Sequence, residues 1–121
     1  MSLKQGVFLF FCFTYPLDIY TDYVYNVNMI MSFGNKETEK VYKQVFSTKL
    51  PQEIQRVALR KLIMIDNAIC LEDLKVPPAN HLEALVGNRK GQYSIRINQQ
   101  YRICFVVKDN NYYDVEIVDY H

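Results

Sequence analysis

The spacing of hydrophobic residues divides the chain into two sections. Between residues 36 and 66, apolar side chains recur every three or four positions, which is the spacing of a helix with one buried face. From residue 92 onward, apolar and polar side chains alternate, which is typical of half-buried β-strands. The pattern therefore predicts a helical section followed by a β section.

The helical section divides into two predicted helices. The first covers residues 36–46, and Pro51 suits the first turn of the second, which runs to Asp66. The second has an apolar stripe made of Ile54, Val57, Ala58, Leu62 and Ile65. We expect the two helices to pair as a hairpin and to pack against a sheet.

The sheet is predicted from three alternating runs. The β section begins at residues 82–85, and its inward positions are Tyr93, Ile95, Ile97, Tyr101, Ile103, Phe105, Val107, Tyr113, Val115 and Ile117. Residues 98–100 form a tight connection, and residues 109–111 form a hairpin turn. Residues 29–33 are short and apolar, which predicts a first or edge strand. The expected fold class is α+β, an antiparallel sheet packed against an N-terminal helical hairpin.

Residues 1–28 differ in composition from the rest of the chain. They are rich in aromatic residues and leucine, contain a single basic residue, Lys4, and include an apolar run at 7–13. No small-residue cleavage site follows that run, so a signal peptide is disfavoured. We expect a leader or arm before a domain that spans residues 29–121. An arm that docks on a neighbouring molecule would favour a dimer.

Composition excludes several classes of protein. The 121 residues suit one domain, and 10 Tyr and 7 Phe supply apolar surface that a disordered chain lacks. Cys12, Cys70 and Cys104 form neither a disulfide framework nor a zinc-type ligand set. We therefore expect reduced thiols, no metal, no cofactor and a cytoplasmic location.

Charge is uneven along a chain whose net charge is only +1. Residues 84–108 carry no acidic side chain but five basic ones, namely Arg89, Lys90, Arg96, Arg102 and Lys108. Arg96 and Arg102 lie opposite the apolar positions of their strands, and the chain ends in Tyr120 and His121. Arginine binds phosphate and histidine moves protons near neutral pH, so this face is typical of a phosphate-handling or RNA-binding surface.

Three segments resemble one bacterial family. The run LEALVGNRKGQYSIRINQQYRICFVV from Leu82, the ending YYDVEIVDYH, and MIMSFGNKETEKVY from Met29 are similar to the HigB toxins of the RelE/ParE superfamily, also called plasmid maintenance killer proteins. The resemblance covers residues 29–121. It implies a compact, microbial-RNase-like α+β domain and a ribosome-dependent mRNA endonuclease that needs no metal. In such enzymes a ribose 2′-oxygen attacks the adjacent phosphate.

The resemblance also implies roles for individual residues. Arg102 would stabilise charge on the phosphorane-like transition state. His121 would protonate the leaving 5′-oxygen or act as a proton shuttle. Tyr120 would stack on or orient the target nucleotide, while Asp119 would position the end of the chain. RNA contacts are expected from Arg89, which would bind the RNA backbone, and from Lys90 and Arg96.

One position departs from the family pattern. Close relatives read Leu-Lys-Gly-Asp-Arg where this chain has Leu85-Val86-Gly87-Asn88-Arg89. The missing lysine is expected near the scissile phosphate, so Val86 predicts weakened activity. Two alternatives stay open: a ParE-like protein that inhibits gyrase by binding, and a catalytically weakened homologue that binds an antitoxin. The expected partners are a HigA-like helix-turn-helix antitoxin, the ribosome and mRNA.

Overall fold

Two helices and one antiparallel sheet form the fold of residues 29–120, the part of the chain that the computed structural model describes. The helices are α1 (Lys36–Tyr42) and α2 (Gln52–Asn67). The strands are β1 (Glu83–Ala84), β2 (Gln92–Arg96), β3 (Tyr101–Lys108) and β4 (Asn111–Asp119), and they neighbour one another in that order. The predicted α+β class and the helical hairpin against a sheet are confirmed.

Helix α1 ends earlier than the pattern predicts. Its last residue is Tyr42, because Gln44 takes a left-handed backbone conformation with φ of 64°. Such a residue closes a helix, since the following N–H can return to a carbonyl of the last turn. Val45 and Phe46 consequently leave the helix face and are 53% and 58% exposed.

Helix α2 begins directly after Pro51, as predicted, and supplies much of the core. Ile54, Ala58, Leu62 and Ile65 are buried, whereas Val57 of the predicted stripe is only half-buried. Lys61 also lies on the buried face of α2.

The sheet contains a bulge that changes which tyrosine enters the core. Cys104 pairs with Glu116 and Val106 pairs with Tyr113, so β4 has two residues opposite Phe105 of β3. Asp114, with φ of 53°, provides the irregular backbone that a bulge requires. The alternation shifts there, and Tyr112 is fully buried instead of the predicted Tyr113.

The hairpin turn and the edge segment of the sheet lie at the positions that the sequence predicts. The β3–β4 hairpin turns at Asp109 and Asn110, both with positive φ, as short hairpin turns require. Residues 29–33 run along β4 as an edge segment that makes isolated parallel bridges from Ile30 to Tyr112 and from Phe33 to Val115. The predicted first strand is thus reduced to two bridges.

The two faces of the sheet have different neighbours. The inner face packs on the helices, and the outer face contacts the irregular segment that leads from α2 to β1, in which Leu71–Lys75 and Pro78–Asn80 form 3₁₀ turns. Ser94 and Cys104 are fully buried on the outer face, and Arg102 is only 9% exposed. Arg102 is therefore buried, although it lies on the face opposite the apolar positions of its strand.

Residues 1–28 and His121 lie outside the described residues. The leader or arm, the dimer that it would favour, and the role of His121 accordingly stay predictions. Between residues 29 and 120, no helix combines the length and apolar character needed to cross a membrane.

Candidate active site

Strand register gathers polar side chains on the outer face of the sheet. Glu83 of β1 stands opposite Ser94 of β2, and Arg96 of β2 stands opposite Arg102 of β3. Directly paired residues share a face, and so do residues two apart in one strand. A carboxylate, a hydroxyl and two guanidinium groups therefore belong to one face.

Tyr120 joins this face from the end of β4. Val118 pairs with Arg102, and Tyr120 follows two positions later. The Tyr120 backbone N–H donates to the Gln100 carbonyl at 2.5 Å, so the residue still follows the sheet. The Cζ atom of Arg102 lies 6.0 Å from the centre of the Tyr120 ring, at the outer limit of a cation–π contact.

An open cleft of about 370 Å³ lies on this face. That volume falls within the range of small-molecule and nucleotide sites. The lining residues are His81, Glu83, Arg96, Asn98, Gln99, Arg102 and Tyr120. Within residues 29–120, no group of three or more His, Cys, Asp or Glu side chains is arranged to hold a metal ion.

Arg102 is the most constrained of the charged groups in the cleft. Its Nε donates to Ser94 Oγ at 2.7 Å, and its Nη2 donates to the His81 carbonyl oxygen at 2.5 Å. Burying a guanidinium is costly unless its N–H groups are satisfied, and these two bonds meet part of that need. Among the described residues, Nη1 makes no hydrogen bond, which leaves its two N–H groups for a ligand.

His81 contributes its backbone to the site. Its φ of 45° and ψ of 57° are left-handed values, which a residue with a side chain adopts only when its surroundings enforce them. This conformation turns the His81 carbonyl toward Arg102. The sequence predicted no role for His81, because the bond depends on packing between the 3₁₀ turn and β3.

Arg96 is placed by the tight connection that follows β2. Asn98 accepts from the backbone N–H groups of Gln100 and Tyr101 through its side-chain oxygen, at 2.8 Å and 2.7 Å. Its own carbonyl accepts from Arg96 Nε at 3.2 Å. The predicted connection at 98–100 therefore also holds one of the two cleft arginines.

Glu83 brings a carboxylate into the cleft that the sequence did not single out. Its Oε1 lies 3.9 Å from Arg102 Nη2, and its side chain is 56% exposed. An exposed carboxylate beside an arginine can accept a proton while remaining accessible to a ligand. Glu83 could have been found from the sequence by its place in the predicted β section, next to a strand that carries an arginine.

Arg89 is engaged within the protein. Its Nη1 donates to Glu116 Oε2 at 3.0 Å and to Gln92 Oε1 at 2.9 Å. The hydrogen bond to Glu116 raises the pKa of Arg89. The ion pair joins the loop before β2 to β4, across 27 residues of sequence, so the structure places Arg89 beside the sheet and outside the residues that line the cleft.

The loop around Arg89 contains the position that departs from the family pattern. Gly87 and Gly91 both have positive φ, which allows the tight 3₁₀ turn at Gly87–Arg89. Val86 is 83% exposed just before that turn. Lys90 follows it and is exposed. Neither side chain lines the cleft.

Asp119 lies next to the cleft at the end of β4. Its Oδ2 accepts from Gln100 Nε2 at 3.2 Å, which ties the end of β4 to the 98–100 connection. The structure thus brings together Arg96, Arg102 and Tyr120 in the cleft, with Asp119 at its border.

Taken together, these elements define a small α+β protein with a buried arginine at the base of a cationic cleft. Residues 31–121 match a family model described as HigB-like toxin, the RelE-like toxin of the type II toxin–antitoxin system HigB. The chain belongs to this HigB-like family. It is therefore a toxin of the type II toxin–antitoxin class, and mRNA cleavage is the known activity of its family.

The chain is also similar to individual proteins. Toxin HigB-1 of Vibrio cholerae is 41% identical over 78 residues, which cover 64% of this chain and 82% of the relative. An uncharacterised protein of Haemophilus influenzae is 43% identical over 63 residues, which cover 52% and 62% of the two chains. Among solved structures, the YoeB dimer of Staphylococcus aureus is similar with a TM-score of 0.48 and 23% identity, over 78% of this chain and 98% of that one.

Proposed function

We propose that this toxin is a ribosome-dependent mRNA endonuclease whose active site is the cleft around Arg102. The supporting observation is the buried guanidinium, which two hydrogen bonds hold at the base of a cleft rimmed by a half-exposed aromatic ring. A fixed cation beside a stacking surface suits a nucleotide whose phosphate must be stabilised during cleavage.

Arg102 stabilises the charge that develops on the phosphate. Its bonds to Ser94 and His81 leave Nη1 for a phosphate oxygen and restrict the guanidinium before substrate arrives. A donor that is already oriented costs little reorganisation when the transition state forms. Tyr120, which is 41% exposed, stacks on the base of the nucleotide that is cut.

Glu83 and His121 transfer the protons. The ribose 2′-hydroxyl gives its proton to the Glu83 carboxylate as its oxygen bonds to phosphorus. The bond from phosphorus to the 5′-oxygen breaks, and the imidazolium of His121 protonates that oxygen. The products are a 2′,3′-cyclic phosphate and a 5′-hydroxyl. The assignment of His121 rests on the resemblance of the chain's ending to the HigB toxins.

The other basic residues contribute to RNA binding. Arg96, which lines the cleft, contacts a flanking phosphate, and Lys90 contributes charge from the neighbouring loop. Because Glu116 and Gln92 already hold Arg89, its main role is to fix that loop, with RNA backbone contact secondary. Asp119 positions the end of the chain through Gln100.

Partners follow from the family and from this mechanism. A type II toxin has an antitoxin partner, and we assign a HigA-like helix-turn-helix protein to that role. The ribosome and its mRNA are the substrate complex, which places the toxin in the cytoplasm. Val86, in place of the usual lysine, makes cleavage weaker than in close relatives.

The test is primer-extension mapping of a defined mRNA, with and without programmed ribosomes. The proposal predicts cuts within the codon at the decoding site that require both the toxin and the ribosome. Cuts in free mRNA would contradict ribosome dependence. No cuts under either condition, together with inhibition of gyrase supercoiling by the same protein, would replace the proposal with the gyrase-binding alternative.

A further inference from the structure

Lys61, a buried lysine on α2, is linked to the cleft through Asn80 and the backbone of His81. Lys61 is 6% exposed, and its Nζ donates to Asn80 Oδ1 at 2.5 Å. Burial lowers the pKa of Lys61, and the charge of Arg60 lowers it further. A buried ammonium bound to a neutral amide is costly, so its presence calls for a role beyond packing.

Asn80 is the middle residue of the link between Lys61 and the cleft. It is fully buried, and its Nδ2 donates to the backbone carbonyls of Leu74 and Val76 at 3.1 Å and 3.3 Å. With Oδ1 bound to Lys61, both ends of the amide are engaged. The 3₁₀ turn at Pro78–Asn80 is thereby tied to helix α2.

The residue after Asn80 carries the carbonyl that holds Arg102. His81 has a left-handed backbone, and its carbonyl oxygen accepts from Arg102 Nη2. Such a backbone persists only where neighbouring contacts determine it. Asn80 is the adjacent anchored residue, so a change at its side chain is transmitted directly to the His81 carbonyl.

We propose that Lys61 and Asn80 are positioning residues that orient Arg102 through the carbonyl oxygen of His81. This inference rests on the proposed function for its effect on cleavage, but the coupling to Arg102 can be measured independently. Lys61 touches neither substrate nor the cleft lining. It acts by fixing the acceptor that restrains the guanidinium.

The first experiment follows Arg102 itself in the full-length protein. The Nε–H of Arg102 is assigned in a ¹H–¹⁵N spectrum, with Arg102→Lys identifying the signal, and its hydrogen exchange is measured. We expect Lys61→Met to shift this signal and to speed its exchange, while Lys61→Arg stays near wild type. An unchanged signal in Lys61→Met would overturn the proposal whether or not the protein cleaves mRNA.

The second experiment measures cleavage on programmed ribosomes. We expect Lys61→Met to lower kcat about 10- to 100-fold with KM for the ribosome nearly unchanged, since misplacing a catalytic group affects the transition state more than binding. Lys61→Arg should restore most of the loss. A fall in rate that only matches a fall in folded fraction would overturn the positioning role.

Two control variants separate positioning from stability and from charge. Ile65→Val truncates the core on the same helix and should leave the Arg102 signal in place. Lys43→Met removes an exposed lysine of α1's C-terminal end that is paired with Glu39. If either control shifts the Arg102 signal as much as Lys61→Met does, the proposed link through Asn80 is wrong. If wild-type protein cuts no mRNA but Lys61→Met still moves the signal, the coupling stands and the proposed function fails.

Discussion

The Nε of Arg102 donates to Ser94 Oγ at 2.7 Å, between neighbouring strands of the sheet. Ser94 pairs with Cys104 in the register, so its hydroxyl lies one step diagonally from Arg102. A hydroxyl in this position can accept from a guanidinium without neutralising it. The bond thus fixes the direction of the guanidinium without removing its charge.

Removing the carboxylate of Glu83 tests its assignment as the base. Glu83→Gln keeps the shape of the side chain but cannot accept the 2′-hydroxyl proton. We expect the single-turnover rate on programmed ribosomes to fall about 10²- to 10⁴-fold. Glu72→Gln, which alters an exposed carboxylate paired with Lys75, is the matched control and should cleave normally. Equal rates for Glu83→Gln and wild type would exclude Glu83 as the base.

Two substitutions at Tyr120 distinguish stacking from hydroxyl chemistry. Tyr120→Phe keeps the ring and should cleave at nearly the wild-type rate. Tyr120→Ala removes the stacking surface, worth about 1–3 kcal/mol per base, and should weaken activity by roughly 5- to 150-fold. Cleavage assays on the same ribosomes measure both. If Tyr120→Phe is as impaired as Tyr120→Ala, the hydroxyl and not the ring is responsible.

Restoring the missing lysine should strengthen the toxin. Val86 is 83% exposed in an extended conformation, so Val86→Lys meets no steric obstacle and adds a cation beside the loop of Arg89. We expect cleavage to rise about two- to fivefold, as for an exposed ion pair, and the gain to shrink at high salt.

Ile69→Lys controls for added charge alone. Ile69 is 61% exposed beyond α2 and does not line the cleft. We expect this variant to cleave at the wild-type rate. A gain that is the same for both lysines, or that persists in high salt, would contradict a local role for position 86.

The lowered pKa of Lys61 predicts a pH-dependent contribution to stability. Between that lowered pKa and the ordinary value of 10.5, the unfolded chain binds a proton that the folded protein has released. The free energy of unfolding contributed by Lys61 therefore rises with pH across this window and is constant below it. Methionine does not titrate, so subtracting the free energy of unfolding of Lys61→Met from that of wild type isolates this contribution.

Denaturant unfolding over a pH series provides the measurement. The difference between wild type and Lys61→Met should increase in favour of wild type as the pH rises toward the ordinary lysine value of 10.5. A difference that stays flat or declines over this range would contradict a buried, charged lysine.

The sequence predicted the regular parts of the fold because each has its own local signal. Pro51 marked the start of α2, and the alternation from residue 92 marked the strands. The same alternation wrongly placed Tyr113 in the core, because the bulge at Asp114 shifts the alternation. Asp114 has a left-handed backbone, which aspartate tolerates but which its presence in a sequence does not predict. Gln44 ended α1 early for a similar reason.

The cleft was only partly predictable from the sequence. The period of two placed Arg96 and Arg102 on one face, and the family resemblance added Tyr120. The His81 carbonyl and the Arg89–Glu116 pair depend on tertiary packing between distant segments. Lys61 had a local signal, since it falls three residues after Ala58 and four before Ile65, on the apolar stripe of α2.

The most direct test of the account is the single-turnover cleavage rate of Arg102→Gln on programmed ribosomes, measured alongside ribosome binding and thermal unfolding. Arg96→Gln is the matched control, because Arg96 is assigned to binding. If Arg102 stabilises the transition state, the rate for Arg102→Gln falls about 10²- to 10³-fold below wild type, with ribosome affinity little changed. A folded Arg102→Gln protein that cleaves at the wild-type rate, or that loses only ribosome affinity, would contradict it.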